Sequence, residues 1–320
     1  MCLLSRISRS RRLTLTQQEA RLAYAMLLPT FLIVMLIVFL PVLWNLWLSL
    51  KPVRLATLGK VNLWSVADLT TKNFLTVIKG RDFWPILKTT LTYTIFGTFL
   101  SIFSGLLAAL LVKEYFPGRN VFRGFLLFPY IAPVVAVAFV WKMMLNAQFG
   151  IVNELGVRWF GMQRTAFLAQ RTLTTHLFGQ EIRWPLALSM VILFETWRYF
   201  PFAFLFILAR LQALPEELYE AAAVDGAVPS QRFWYITLPQ LRGVFATLFL
   251  LRFIWTFNKF DDIYLLTGGG AGTKVLTVKV YEYLYGRYDI GAAAALAVVL
   301  GIVLAGFLVI YFRYMATEEA

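Results

Sequence analysis

The sequence has very few of the residues from which metal and redox centres are built. It contains one cysteine and one histidine in 320 residues, so no disulfide can form within the chain and no Cys/His cluster can hold zinc, haem or an iron–sulfur centre. Charged residues are also scarce, at 15% against about 25% in soluble domains. Hydrophobic residues make up 60%, which is too apolar for a disordered chain. These scarcities exclude an ordinary soluble enzyme and leave a polytopic membrane protein.

Acidic residues are the minority among the few charges. The chain has 17 Asp and Glu against 30 Lys and Arg, a formal net charge of +13. In a soluble protein this balance would favour nucleic acid as a partner. In a membrane protein the simpler explanation is attraction of juxtamembrane lysines and arginines to anionic lipid headgroups. We therefore expect membrane lipid, and no nucleic acid, among the partners.

Long apolar runs stand where the charges are missing. A membrane-spanning helix needs about 20 mostly apolar residues, and six stretches of the sequence meet this requirement. Their approximate ranges are 22–50, 88–112, 124–141, 184–209, 243–258 and 290–312. Six spans place both termini on the same side of the membrane. The sequence therefore predicts an all-α polytopic membrane protein, with residues 1–320 forming a single transmembrane domain.

A basic cluster precedes the first apolar run. It consists of Arg6, Arg9, Arg11, Arg12 and Arg21. The cluster indicates a signal anchor, with both termini in the cytoplasm. A cleaved signal peptide is the alternative, and it is disfavoured because the apolar run is too long and no small-residue cleavage site follows it. The lysine and arginine counts of the loops do not by themselves decide the orientation.

The segment 211–242 between the fourth and fifth spans alternates helix-forming and helix-breaking residues. Pro215 suits the first position of a helix, and the alanines 221–223 continue it. Gly226 breaks that helix, and Pro229 starts a second one. A short helix of small residues flanked by carboxylates suits docking in a groove of another protein. A plain amphipathic loop helix is the competing interpretation.

This segment carries a recognisable signature, EAA-x3-G-x9-I-x-LP. The matching residues are Glu220, Ala221, Ala222, Gly226, Ile236, Leu238 and Pro239. In this respect the chain resembles the permease subunits of bacterial binding-protein-dependent ABC importers. The runs FLLFPYIAPVVAVAFVW and FDDIYLLTGGG resemble the carbohydrate branch, which includes maltose and glycerol-phosphate permeases. The resemblance covers roughly residues 20–315, and the basic stretch 158–183 departs from it by being longer.

The resemblance implies a multi-subunit machine in the bacterial cytoplasmic membrane. Two permeases would form the pore, as two different chains or two copies of one. A dimer of a separate ATPase subunit would bind ATP and magnesium below them, so no cofactor is expected in this chain. An extracytoplasmic solute-binding protein would deliver a sugar or related polyol. The signature residues would form the coupling helix in the cytoplasm, and the fold would be that of a type I importer permease.

Three charged residues fall inside predicted spans. They are Glu195, Arg198 and Arg252. Charge at membrane depth is costly and usually faces the bundle interior or a wet cavity. We favour a structural ion pair of Glu195 with either arginine over a polar wall of the substrate pathway. The pathway interpretation stays open, and its further candidates, chosen because sugars bind hydroxyl-bonding side chains and flat aromatic faces, are Tyr93, Tyr130, Trp197, Tyr199, Trp255 and Asn258.

Two other motifs invite a function. The run GGGAGTK at 268–274 suggests a phosphate-binding loop, but it lacks the Gly-Lys-Ser/Thr order and is expected in an external loop, so a plain turn is favoured. Asp261 and Asp262 are interpreted as a solvated loop pair. An intramembrane enzyme is disfavoured because no nucleophile, acid pair or metal ligand set converges in the spans. A scaffold without a pathway would leave the signature unexplained, and an importer of a non-carbohydrate solute remains the alternative.

Overall fold

The computed structural model describes residues 14–177 and 180–314. Within these ranges the chain forms helices and one two-stranded antiparallel hairpin. The arginines of the N-terminal cluster that precede residue 14, and both termini, lie outside the described residues.

The helices α1 to α15 are, in order, Leu15–Val34, Leu40–Ser49, Lys72–Ile78, Phe83–Leu111, Arg119–Ile131, Val134–Met144, Ile151–Phe160, Leu186–Gln212, Glu217–Val224, Pro229–Arg232, Leu238–Gln240, Arg242–Phe257, Asp261–Thr267, Leu276–Tyr281 and Ile290–Tyr314. The strands β1 and β2 are Leu173–Leu177 and Gln180–Trp184. Wider π-type turns join α1 to α2, α10 to α11 and α14 to the loop before α15.

Four continuous helical stretches are long and apolar enough to cross a membrane, and two bent helix pairs bring the number to as many as six. The α1–α2 stretch, Leu15–Ser49, is 35 residues long, and none of its most apolar window is buried in this chain. The predicted third span is two helices, α5 and α6, that meet at 94°. The break has a local cause: Ala132 precedes Pro133 and is held in an extended conformation, with ψ near 141°.

Helices α4 and α8 form the centre of the bundle. They lie so close that a Cβ placed on Gly105 would come within 2.7 Å of both the Ala203 Cβ and the Phe204 backbone nitrogen. Any larger residue at 105 would push the helices apart, as is typical where small residues line a membrane helix interface. Helix α4 begins at Phe83, several residues before the charge-bounded stretch predicted from the sequence.

The bundle has two distinct ends. At the first, named the hairpin end, β2 leads directly into α8 through Pro185, and Pro185 and Pro85 line a common cleft with Gly269. At the second, named the EAA end, the last turns of α4 and α8 pack on the start of α12 through Ala109, Leu211 and Leu241, all nearly inaccessible to solvent. Helix α15 is bonded near its start to the loop after α2, where the Gly291 N–H donates to Val53 O, and near its end to α12, where the Tyr311 hydroxyl donates to Ala246 O.

The hairpin is an addition to the all-α fold predicted from the sequence. It lies in the basic stretch 158–183, and its register pairs Leu173 with Trp184. The same connection contains α7, whose Glu154 accepts from Arg158 at 2.8 Å and Arg164 at 3.0 Å. Arg158 and Arg164 therefore share one carboxylate within this connection.

Glu282 anchors a salt-bridge cluster at the hairpin end, outside the membrane-spanning helices. Burial alone would raise the pKa of its carboxyl, but hydrogen bonds from Lys274, Lys279 and Arg287 outweigh that effect and lower the pKa from 4.5 to about 2. A depressed carboxyl pKa stabilises the fold above the unfolded-state value, and the contribution disappears as pH falls from 4.5 toward 2.

We expect Glu282→Gln to flatten the loss of thermal stability between about pH 4.5 and pH 2, because this variant cannot titrate there. The measurement is the melting temperature of the detergent-purified protein at several pH values. Glu114→Gln is the matched control, since the Glu114 side chain is 83% exposed and its contact with Lys113, at 3.9 Å, is at the limit of an ion pair. A Glu282→Gln profile that parallels the wild type would contradict the role of the cluster.

Candidate functional site

The signature helix α9 ends in a hydrogen-bonded glycine motif. The Ala227 N–H donates to Ala222 O at 2.8 Å and the Gly226 N–H donates to Ala223 O at 3.1 Å. This pair of bonds is the Schellman arrangement, which requires a left-handed residue at the position after the cap. Gly226 has φ of 80°, and its Cβ position is open space. The left-handed backbone conformation therefore explains the glycine of the signature. No neighbour within the described part of this chain lies close enough to require it.

Side chains fasten α9 to the membrane helices on either side. The Tyr219 hydroxyl lies 3.0 Å from the Thr237 hydroxyl, and the Lys113 ammonium sits 4.0 Å from the centre of the Tyr219 ring. Arg210, near the end of α8, donates to the backbone and side-chain oxygens of Gln240 at 3.3 and 3.0 Å. Helix α9 is thus held against the end of α4 and the turn before α11, and α8 is bonded to α11 beside it.

The outer surface of α9 is free in this chain. Glu220, Ala221 and Gly226 are exposed, and the neighbouring Val224 is 88% exposed. A cleft of about 390 Å³ opens between α9 and the turn that follows it, and its walls include Ala222 and Ile236. Leu238 and Pro239 belong to the short helix α11, and the fifth span begins only at Arg242 after a bend of 59°.

The charged residues of the spans form a buried network centred on Glu195. Arg252 makes the ion pair, and its side chain is 2% exposed while that of Glu195 is fully buried. The remaining acceptor positions of Glu195 are filled by the Thr256 and Tyr93 hydroxyls, each at 2.9 Å. Three helices, α4, α8 and α12, are linked at this one carboxylate. Of the two predicted partners of Glu195, the structure selects Arg252.

Arg198 has a different role from the one predicted. Its guanidinium donates to Ala132 O at 3.1 Å, and no carboxylate of the described residues lies within ion-pair distance of it. The Ala132 carbonyl terminates α5 and therefore lacks the helical donor that an interior carbonyl would have. Arg198 thus fixes the break between α5 and α6 to α8, although the i,i+3 spacing pointed to Glu195.

Tyr199 is surrounded by three cations. Its hydroxyl accepts hydrogen bonds from Lys259 and, at 3.3 Å, from Arg198. The Arg252 guanidinium and the Lys259 ammonium each lie 4.3 Å from the centre of its ring. Such contacts of cations with an aromatic ring are favourable, most of all where water is excluded.

Lys259 was not predicted from the sequence, and the interpretation of Asp262 as a solvated residue is wrong. Asp262 is fully buried in α13, with Lys259 at 3.7 Å, whereas a solvated loop pair was expected. The spacing of the residues could have indicated that Lys259 belongs to the network. Arg252, Thr256 and Lys259 are four and three residues apart, as residues on one face of a helix are.

The pathway candidates separate into two groups. Tyr130 is 40% exposed and lies edge-on to Tyr199, while Trp255 is 46% exposed and packs against Phe202. Tyr130 and Phe202 are also in ring contact, so these four residues form a continuous surface, which we name the aromatic wall. Asn258 is exposed near the wall's Trp255, but its amide donates to its own helix at Ile254 O.

Trp197 does not belong to the aromatic wall. It packs against Trp141, with ring centres 5.7 Å apart, and both rings are half-buried against the hydrophobic core. The neighbouring candidate Tyr93 is completely buried and holds Glu195. The structure therefore brings Tyr130, Trp255 and the charged network to one region and leaves Trp197 outside it.

The helices are long and apolar enough to cross a membrane, a buried ion network ties them together, and an exposed helix is held firmly at one end. These features define the membrane-embedded subunit of a transporter. Residues 97–316 match the family described as the binding-protein-dependent transport system inner membrane component, and the chain belongs to that family. The resemblance drawn from the signature at 220–239 is thereby confirmed.

Relatives and solved structures agree with this assignment. The chain is 31% identical over 308 residues to the trehalose/maltose transport system permease protein MalF of Thermococcus litoralis, covering 93% of this chain and 95% of the relative. It is 36% identical over 236 residues to the inner membrane ABC transporter permease protein YcjO of Escherichia coli, covering 72% and 74% of the two chains. A chain of a bacterial alginate ABC transporter, solved with an alginate pentasaccharide-bound periplasmic protein, matches with a TM-score of 0.75 at 22% identity, covering 92% of this chain and 94% of that one. The predicted importer-permease fold is confirmed.

Proposed function

We propose that this chain is one of the two permease subunits of an ATP-driven importer for a sugar or related polyol. The family membership of residues 97–316 carries the transport function. The substrate class is supported by relatives described as trehalose/maltose, maltodextrin and trehalose permeases. The aromatic wall offers flat apolar surface beside polar groups, the combination that small-molecule sites use to hold and orient a ligand.

The EAA end faces the cytoplasm in this proposal, and the hairpin end faces outward. Both termini are then cytoplasmic, and the membrane is the bacterial cytoplasmic membrane. Helix α9 sits in a groove of the ATPase dimer, where Glu220, Ala221 and Gly226 lie at the contact. When ATP closes the dimer, the movement of α9 passes through Tyr219 to the turn before α11, which Arg210 bonds to α8. This tight mounting is the observation that best supports coupling.

ATP and magnesium bind to the partner ATPase in this proposal, and this chain contributes neither site. The glycine run 268–274 is at the hairpin end, and its Lys274 makes an ion pair with Glu282 at 2.8 Å. Thr267 and Thr273 bond to each other across the turn at 2.6 Å. These internal contacts favour a structural turn over a phosphate cradle.

Reconstitution tests the proposal directly. The chain purified alone is expected to hydrolyse no ATP, whereas the complex with a second permease, the ATPase and a sugar-loaded binding protein hydrolyses ATP faster than without the sugar. ATP hydrolysis by this chain alone that disappears in Lys274→Ala would overturn the assignment. If a non-carbohydrate ligand stimulates ATP hydrolysis and sugars do not, the substrate is not a carbohydrate.

A further inference from the structure

A cleft of about 320 Å³ opens between α3, α14 and the starts of α4 and α15, and we name it the interface cleft. Part of its wall is apolar, and Ile86 of α4 and Leu296 of α15 belong to that part. The charged part of its wall consists of Arg81, Asp82, Lys279 and Arg287. The two parts together suit a ligand that has a charged end and an apolar end.

The interface cleft lies at the depth where lipid headgroups meet acyl chains. Helices α4 and α15 are both long and apolar enough to cross a membrane. Ile86 is close to the start of α4, and Leu296 is further from the start of α15. At 1.5 Å per residue they lie roughly 5 and 9 Å along their helices, whereas the headgroup region on each side of a bilayer is about 5–7 Å thick. The cleft therefore reaches from headgroup level into the hydrocarbon.

Aromatic side chains mark the same level on the protein surface. Trp84 belongs to the first turn of α4, and Tyr285 and Tyr288 belong to the segment just before α15. All three side chains are more than half exposed. Tryptophan and tyrosine are enriched where a membrane protein crosses the boundary between lipid and water. Their positions support placing the mouth of the interface cleft at that boundary.

Arg81 supplies a positive charge that no acid of the described residues neutralises. It is exposed and lines the cleft, and no carboxylate in 14–177 or 180–314 lies within 4 Å of it. Arg287 bonds to Glu282 through Nη2 at 2.8 Å, and its side chain is half exposed. Because a guanidinium has five N–H donors, Arg287 retains donors for a ligand.

The remaining charges of the cleft are fixed within the chain. The Lys279 side chain is almost completely buried and lies 3.5 Å from Asp82 and 3.0 Å from Glu282. Asp82, the one acid among the lining residues, is therefore already paired. The lining thus carries three basic side chains against one acidic one. This excess of positive charge is suited to an anionic group supplied by another molecule.

We infer that the interface cleft binds a phospholipid, with the headgroup phosphodiester on Arg81 and Arg287 and an acyl chain along Ile86 and Leu296. Arginine is well matched to phosphate oxygens, because its fork of donors makes two parallel charge-assisted hydrogen bonds. The apolar part of the wall adds the hydrophobic contribution of a buried chain. The inference requires only that the helices span the membrane, and it is independent of the solute that the importer carries.

The first test reverses the unpaired charge. Arg81→Glu is expected to raise the Kd of dioleoyl phosphatidylglycerol for the delipidated full chain in detergent by about tenfold or more. Native mass spectrometry across a lipid titration measures this Kd. Lys79→Glu is the matched control, because Lys79 is an exposed cation two residues away that does not line the cleft. Equal lipid affinities of the two variants would overturn the inference. Equal melting temperatures without lipid show that both are folded.

Inorganic phosphate distinguishes a lipid from a soluble anion. It offers the same charged chemistry without acyl chains, so we expect it to displace the lipid from the wild-type chain only at a large molar excess. Displacement at an equimolar concentration would identify a soluble phosphate site and overturn the assignment to a lipid.

The second test identifies the occupant in the assembled importer. Thr76 is exposed and lines the cleft, and its hydroxyl bonds only within its own helix, to Lys72 O at 2.8 Å. A photoreactive benzoylphenylalanine at position 76 is expected to form an adduct with phospholipid in membranes, detected by mass. The adduct should be lost when Arg81→Glu is added and kept with Lys79→Glu. An adduct with a second permease or a solute-binding protein would show that a protein covers the cleft, and the inference would fail while the importer assignment stands.

Discussion

Arg252→Met is expected to destabilise the helical bundle by about 3–5 kcal/mol. The change removes the ion-pair partner of a completely buried carboxylate, which keeps its hydrogen bonds from the Tyr93 and Thr256 hydroxyls. The double variant Glu195→Gln with Arg252→Met should regain most of the loss, because no uncompensated charge then remains in the interior. The measurement is the melting temperature and folded yield of each variant in detergent, compared as a double-mutant cycle.

Two further variants sharpen this comparison. Arg242→Met changes an exposed arginine at the start of the same helix and should leave the melting temperature nearly unchanged. Arg198→Met should lose stability that Glu195→Gln does not restore, because Arg198 bonds to the Ala132 carbonyl. If Arg252→Met folds like the wild type and only transport changes, the network is a wall of the pathway and the structural interpretation fails.

Gly226→Leu is expected to separate ATP hydrolysis from transport while the membrane helices remain inserted. A residue with a Cβ pays about 1–2 kcal/mol to adopt the left-handed conformation, in which Gly226 has φ of 80°. That energy changes the equilibrium constant between the observed loop conformation and alternative conformations by about five- to thirtyfold. Co-purification of the ATPase with the variant, followed by transport in vesicles, measures both functions.

The chain offers matched controls for this variant. Gly226→Asn should keep most coupling, because asparagine tolerates the left-handed conformation. Gly118 also has positive φ, at 86°, with open space at its Cβ position, so Gly118→Leu imposes the same strain outside the signature loop. Glu220→Lys should weaken ATPase binding by reversing a charge on the exposed face of α9. Full ATPase binding and full transport by Gly226→Leu would show that the loop is not the coupling element.

The sequence by itself determined the class of the protein and the form of its signature loop. Both depend on local chemistry. Apolar runs of span length are read from neighbouring residues, and the positions of Gly226 and Pro229 predict a helix end and a helix start because backbone conformation is restricted residue by residue. The structure places both where this reasoning expects them.

Only the tertiary structure decided which charges meet inside the bundle. Glu195 pairs with Arg252, 57 residues away, and not with Arg198 three residues away. That choice depends on how closely α4, α8 and α12 pack and on the free carbonyl that the break at Pro133 exposes to Arg198. The burial of Asp262 has the same origin. It results from contacts between segments remote in sequence, which periodicity and spacing along one helix do not record.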